Sequence, residues 1–165
     1  MKPRLDPEEA LSGPLYFVAL VLVAIPSIDF ALSVPAANFS SVQWRFAAVG
    51  RLSGYTLTPI LGFGLAFVVA SILKQYRVQR ILVILCLTIG LALLVMCGAF
   101  LLDALQLRIS IPADGRVAYN SAWKRALLKH LLSALALLYL GWSARRMIPS
   151  RRSKHGPKPV HVVSK

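Results

Sequence analysis

Apolar residues fall into four long blocks along this chain, and most polar residues lie between them. The blocks are Pro14–Val34, Leu52–Leu73, Ile81–Leu105 and Ala126–Ile148. Each is close to the roughly 20 residues that carry a helix, rising about 1.5 Å per residue, across a hydrocarbon layer about 30 Å thick. Soluble helices keep a polar face at a 3.6-residue period, and "ILVILCLTIGLALLVMCGAFLL" in the third block has none. Strands are too short for such runs, since a membrane strand uses about 9–11 residues. The pattern predicts an all-α, integral membrane four-helix bundle in one domain, residues 1–148. A basic, flexible tail follows at 149–165.

The blocks are not uniform. The first contains Pro26 and Asp29, and the fourth opens with Lys129 and His130. "SVPAAN" after the first block has the small residues of a signal-peptide cleavage site. The preceding apolar stretch is long for a signal segment and is broken by Asp29, so it reads as an uncleaved anchor.

Between blocks one and two lies "NFSSVQWRFAAVGRLSG", Asn38 to Gly54. At 100° per residue, Val42, Phe46 and Val49 share one face, and Trp44 and Arg51 another. Asn38 or one of the following serines is placed to cap such a helix. Tryptophan favours the headgroup layer, with its ring half buried and its N–H wet. The stretch reads as a short interfacial helix leading into the second span, or as an interfacial loop with the same anchors. The other loop of that side, Gln106–Arg125, suggests an extended piece at "RISI" and a turn at "PADG".

Charge gives the expected orientation. The chain holds 19 Lys and Arg against six acids, a formal net charge of +13. Lys2, Arg4, the Lys74–Arg80 loop and the C-terminal cations carry twelve of the 19. The excess of Lys and Arg on one side predicts both termini in the cytoplasm of a bacterial inner membrane. Only 15% of residues are charged, 57% are hydrophobic, and the mean hydropathy is +0.66, values outside the range of ordinary soluble domains.

Two features carry finer information. In this topology Asp29 and Asp103 both sit near the outer ends of their spans, at the level of Arg45, Arg51, Arg108, Lys129 and His130. Ionisable groups in a membrane are costly and find partners. The layer reads as structural ion pairs near the interface, with a proton or substrate site as the functional alternative. In the second span Gly54, Thr58, Gly62, Ala66 and Ala70 recur every four residues. Small residues at that spacing let helices approach closely, which marks this span as the one with the closest neighbours. Pro59 suggests a bend there.

An inventory of reactive groups identifies no chemistry. Cys86 and Cys97 share a face but lie about 16 Å apart along a helix. His130, His155 and His161 have no Cys or carboxylate at ligand spacing, so no metal and no cofactor is expected. Haem ligation by His130 competes with an ordinary interfacial role. The tail, with Arg145, Arg146, Arg151, Arg152 and Lys154, is suited to anionic lipid at about 1 kcal/mol per cation near the surface. Without interleaved aromatics it does not read as a nucleic-acid site.

"NFSSVQWRFAAVGRLSGYTLTPILGFGL" resembles the region around the second span in a family of small bacterial membrane proteins linked to hormogonium polysaccharide in cyanobacteria. The likeness rests on Asn38, on Gln43-Trp44 and on Pro59-Ile60-Leu61-Gly62, over about 28 of the 165 residues. It implies a multi-span topology and assigns no catalytic residue. The expected role is a non-enzymatic membrane subunit or accessory component of a respiratory, photosynthetic or envelope complex, with other subunits or a second copy as partners. The alternative is a small oligomeric carrier or proton-coupled transporter using Asp29 and Asp103.

Overall fold

A computed structural model describes residues 7–34 and 38–147. Every element among them is helical: α1 (Pro7–Ser33), α2 (Val42–Leu52), α3 (Leu57–Ile72), α4 (Tyr76–Ile109) and α5 (Arg116–Met147), with one 3-10 turn at Ala113–Gly115. Three of these, α1, α4 and α5, are long and apolar enough to cross a membrane, and α2 with α3 makes a fourth if the bent pair is one span. Residues 1–6, 35–37 and 148–165 lie outside the described residues. They include the central Pro-Ala-Ala of "SVPAAN" and the tail cations Arg151, Arg152 and Lys154.

α4 and α5 form the principal hairpin. Along α4 the buried positions Cys86, Gly90, Leu93, Cys97, Phe100 and Ala104 alternate by four and three residues, the repeat of a left-handed helix pair. Small residues set the spacing. A Cβ added at Gly90 would lie 2.9 Å from Leu138 Cγ and 3.3 Å from the Ala134 carbonyl oxygen. One added at Gly141 would lie 3.0 Å from Leu87 Cγ. Close approach is therefore not special to the second span, as the four-residue stripe suggested.

α1 packs on α3. Gly62, Ala66 and Ala70 are buried, and a Cβ on Gly62 would lie 2.8 Å from the Ala19 carbonyl oxygen. Gly54 departs from the expected stripe. It is exposed, and it lies in the break between α2 and α3 rather than on a helix; Thr58, in the first turn of α3, is half-buried.

The break has a physical cause. Proline lacks the N–H that would bond the carbonyl four residues back, and its ring collides with it. Pro59 therefore cannot extend a helix through Tyr55. The chain leaves the helix at Ser53–Thr56 and restarts at Leu57, with α2 and α3 bent by 48°. Pro59 ends up in the first turn of α3, where proline is tolerated, and the bend precedes it.

The α3–α4 turn is a Schellman closure. Gln75 N–H donates to Ala70 O at 2.9 Å and Lys74 N–H to Ser71 O at 3.2 Å. Lys74 takes the left-handed position at φ 52°, which glycine usually fills. At the other end the expected extended "RISI" is corrected: α4 continues through Arg108 and Ile109. Pro112, which disfavours helix in the residue before it, follows the end of α4 at Ile109, and α5 begins at Arg116.

Candidate functional site

The α2 end of the bundle gathers three of the four buried polar residues among those described, Asp103, His130 and Ser133; the fourth, Gln79, lies by the α3–α4 turn. Ser41 caps α2 by accepting the Trp44 N–H at 3.3 Å, which fixes the first turn and directs Arg45 toward α4. The Arg45 fork closes on Asp103: Nε donates to Oδ2 at 3.0 Å and Nη2 to Oδ1 at 2.7 Å. Nη1 donates to the Phe39 carbonyl oxygen at 2.8 Å. Two parallel charge-assisted bonds fix orientation as well as distance. The arginine side chain is 37% exposed and the carboxylate 9%, so water reaches the cation far more than the anion.

Beside the pair, Phe46 is inserted between two rings. It stacks on Phe100 at 5.0 Å between centroids and on Tyr119 at 5.4 Å. Tyr119 Oη–H donates to the Ala104 carbonyl oxygen at 2.8 Å. α2, α4 and α5 are thus held by one aromatic stack. Next to Phe100 also lies His130, 1% exposed, its ring 6.2 Å away. His130 Nδ1 is 2.9 Å from the Ala126 carbonyl oxygen. A carbonyl only accepts, so this bond places the proton on Nδ1 and leaves Nε2 an acceptor. No described residue donates to it. One turn along α5, Ser133 Oγ–H donates to Thr56 Oγ1 at 2.9 Å, tying α5 to the break.

The other expected members of the polar layer fall elsewhere. Asp29 is exposed and makes no ion pair among the described residues. α1 turns Ala19, Val23, Pro26 and Phe30 inward, against α3 and the cavity beside it. Asp29 is one 100° step off that face and points out. Arg51 meets no aspartate; its Nη1 donates to the Ser33 carbonyl oxygen and caps the C-terminus of α1, a favourable place for a cation. Arg108 and Lys129 are exposed and unpaired among the described residues. The layer expected around two aspartates is therefore a single pair, Arg45–Asp103, with an aromatic and hydroxyl network behind it.

Two cavities open beside this network. One, of about 310 Å³, lies between Phe46, Gly50, Phe100, Trp123, Arg125 and Lys129. The other, of about 490 Å³, is walled by the α2–α3 break and by Lys129, Leu132, Ser133 and Ala136 of α5. They share Ser53 and Lys129. A third, of about 290 Å³, is almost wholly apolar and lies among α1, α3, α4 and α5. No group of His, Cys, Asp and Glu able to hold a metal occurs among the described residues.

α5 also bears cation–aromatic pairs near both ends. The Lys124 ammonium sits 6.0 Å from the Trp123 ring and the Arg146 guanidinium 5.6 Å from the Trp142 ring. Tryptophans with flanking cations anchor a span at its two interfaces. By helix rise these two lie about 28 Å apart, close to the thickness of a hydrocarbon core. Chain pairing along the α4–α5 hairpin puts Asp103 near the level of Trp123. Three to four helices of this length and composition could span a membrane, which is consistent with a multi-pass membrane protein. No protein-family model, curated protein or solved structure matches the chain.

Proposed function

We propose that the chain is a non-enzymatic integral membrane subunit of a larger assembly in a bacterial inner membrane. In this reading α1, the bent α2–α3 pair, α4 and α5 make four passes with both termini cytoplasmic, and α2 lies at the opposite interface. The observation that carries it is the state of Asp103: both oxygens are engaged by Arg45, and the third guanidinium nitrogen donates to Phe39. A carrier needs a carboxylate free to change partners. Asp103 is clamped, and Asp29 stands outside the bundle. An all-helical apolar chain suits an inner membrane, because outer-membrane spans are barrel strands. The cations Arg145 and Arg146 at the end of α5 are exposed, as a lipid-facing inner rim requires.

The test is native mass spectrometry after mild extraction, together with the cellular effect of Asp29→Asn and Asp103→Asn. A subunit is recovered at fixed stoichiometry in a species heavier than its own 18.1 kDa, and Asp29→Asn changes neither assembly nor phenotype. Recovery only as a monomer, or lost activity in either variant with normal assembly, overturns the reading.

A further inference from the structure

We infer that the groove along α5, opened by the α2–α3 break, binds one anionic phospholipid, its phosphate at Lys129 and an acyl chain on the apolar wall beyond. The two cavities adjoin at Ser53 and Lys129, which line both, on one side of α5. Ala122, Arg125, Lys129, Leu132 and Ala136 recur there at three- and four-residue steps, so they form one stripe. The opposite wall changes character along its length: Ser53 and Thr56 come first, then Leu57 and Ile60. The cations Arg125 and Lys129 therefore stand at the Trp123 end, and Leu57, Ile60, Leu132 and Ala136 line the deeper end.

Lys129 sets the ligand's charge. It lies six residues inside Trp123, about 9 Å by helix rise, below the interface that Trp123 marks. No carboxylate lines either cavity, and neither Lys129 nor Arg125 makes an ion pair among the described residues. An ammonium at that depth needs an anion or an upward path to water. A lipid phosphate supplies such an anion through charge-assisted hydrogen bonds. The deep end sets the rest of the ligand. Leu57 and Leu132 are 67% and 57% exposed, so the apolar wall opens to the bilayer and an acyl chain can enter sideways. A free phosphate would leave that half of the groove unfilled. The inference holds whether or not the chain sits in a larger assembly, because it uses only this chain's own surface.

The purified full chain, washed of lipid in nonionic detergent, is mixed with phosphatidylglycerol or with phosphatidylcholine of the same acyl chains. Bound lipid is read by native mass spectrometry. The C-terminal cations also attract anionic lipid, so the measure is the difference between wild type and variant. Lys129→Gln is expected to lower phosphatidylglycerol retention about tenfold, equivalent to ~1.4 kcal/mol, and Lys129→Arg to keep it. Leu132→Trp, which fills the apolar arm without changing charge, lowers it as well. Millimolar inorganic phosphate does not displace the lipid. Circular dichroism checks that each variant is folded; if Lys129→Gln is not, the Leu132→Trp and Lys129→Arg pair decides. Equal retention of the two lipids, unchanged retention in folded Lys129→Gln or in Leu132→Trp, or displacement by phosphate overturns the inference.

Discussion

Gly62 and Gly64 stand two residues apart on α3 and face opposite environments, so the same one-carbon addition has opposite consequences. An alanine Cβ at Gly62 would lie 2.8 Å from the Ala19 carbonyl oxygen, 2.9 Å from Val23 Cγ2 and 3.1 Å from Leu22 Cβ. A comfortable carbon–oxygen contact is about 3.3–3.6 Å. The carbonyl belongs to a helix backbone and cannot rotate away, so α1 must retreat by about 0.5 Å or more. A gap of 0.5–1 Å forfeits roughly a quarter to a half of each dispersion contact. In lipid those contacts have no hydrophobic substitute. Overpacking of this kind typically costs about 1–3 kcal/mol. At Gly64 no atom lies within 4 Å of an added Cβ, and replacing a helical glycine with alanine gains about 0.5–1 kcal/mol. The two variants should therefore differ by roughly 1.5–4 kcal/mol. Reversible unfolding in mixed micelles of increasing SDS fraction, followed by tryptophan fluorescence, measures the difference. Equal midpoints for Gly62→Ala and Gly64→Ala would refute the close α1–α3 seam.

The Arg45–Asp103 pair is asymmetric in exposure, so the order of loss is fixed: Arg45→Gln, which strands a buried carboxylate, should lower the unfolding midpoint more than Asp103→Asn, which leaves an arginine that water can reach. The reverse order in the same SDS titration would contradict the assigned burial. Lys74→Gly should be neutral or stabilising by up to about 1 kcal/mol, because a left-handed side-chain residue carries a strain glycine lacks, whereas Lys74→Val should lose stability; thermal melting distinguishes them. Cysteines placed at Ser41 and Ser121, in a chain whose buried Cys86 and Cys97 are replaced, should label from the same side of the membrane, and labelling from opposite sides would break the topology.

The four apolar blocks correspond to α1, α3, α4 and α5, but helix lengths were not legible from them. Hydropathy reports the part of a helix that meets hydrocarbon, and α4 runs on through the polar Tyr76–Arg80 and Gln106–Arg108. The α2–α3 break was half legible: Pro59 pointed to a bend, but the disruption falls on the residues before a proline, where the lost bond and the ring clash act. The α4 seam was present as Cys86, Gly90, Cys97 and Ala104 in steps of four and seven, and was masked by the uniform apolarity around them. Arg45 and Asp103 were both legible as members of a layer of ion pairs, but which cation meets which acid was not. Asp29 and Asp103 have similar depth, and only the rotation of each helix separates a paired acid from an exposed one. An apolar helix without a polar face gives no sequence signal for that rotation.

His130 offers the sharpest distinction between a structural and a ligand-binding role at the α2 end. The ring is buried, Nδ1 bonds the Ala126 carbonyl, and Nε2 has no donor among the described residues. The Ala126 carbonyl is also the i−4 acceptor for the backbone N–H of His130 within α5, so it remains bonded if the imidazole is removed. Replacement by leucine therefore strands no protein group. It removes an acceptor whose burial without a donor is unfavourable by about 1–3 kcal/mol, and sacrifices one neutral hydrogen bond and some contact with Phe100. These effects nearly cancel, and His130→Leu should fall within about 1 kcal/mol of wild type in SDS unfolding. His130→Ala, which also opens a cavity beside Phe100, should lose about 2–5 kcal/mol. If leucine is as damaging as alanine, volume is not what the position requires. Nε2 then has a partner in the membrane that the chain itself does not supply, and His130 would join a binding site rather than fill a core.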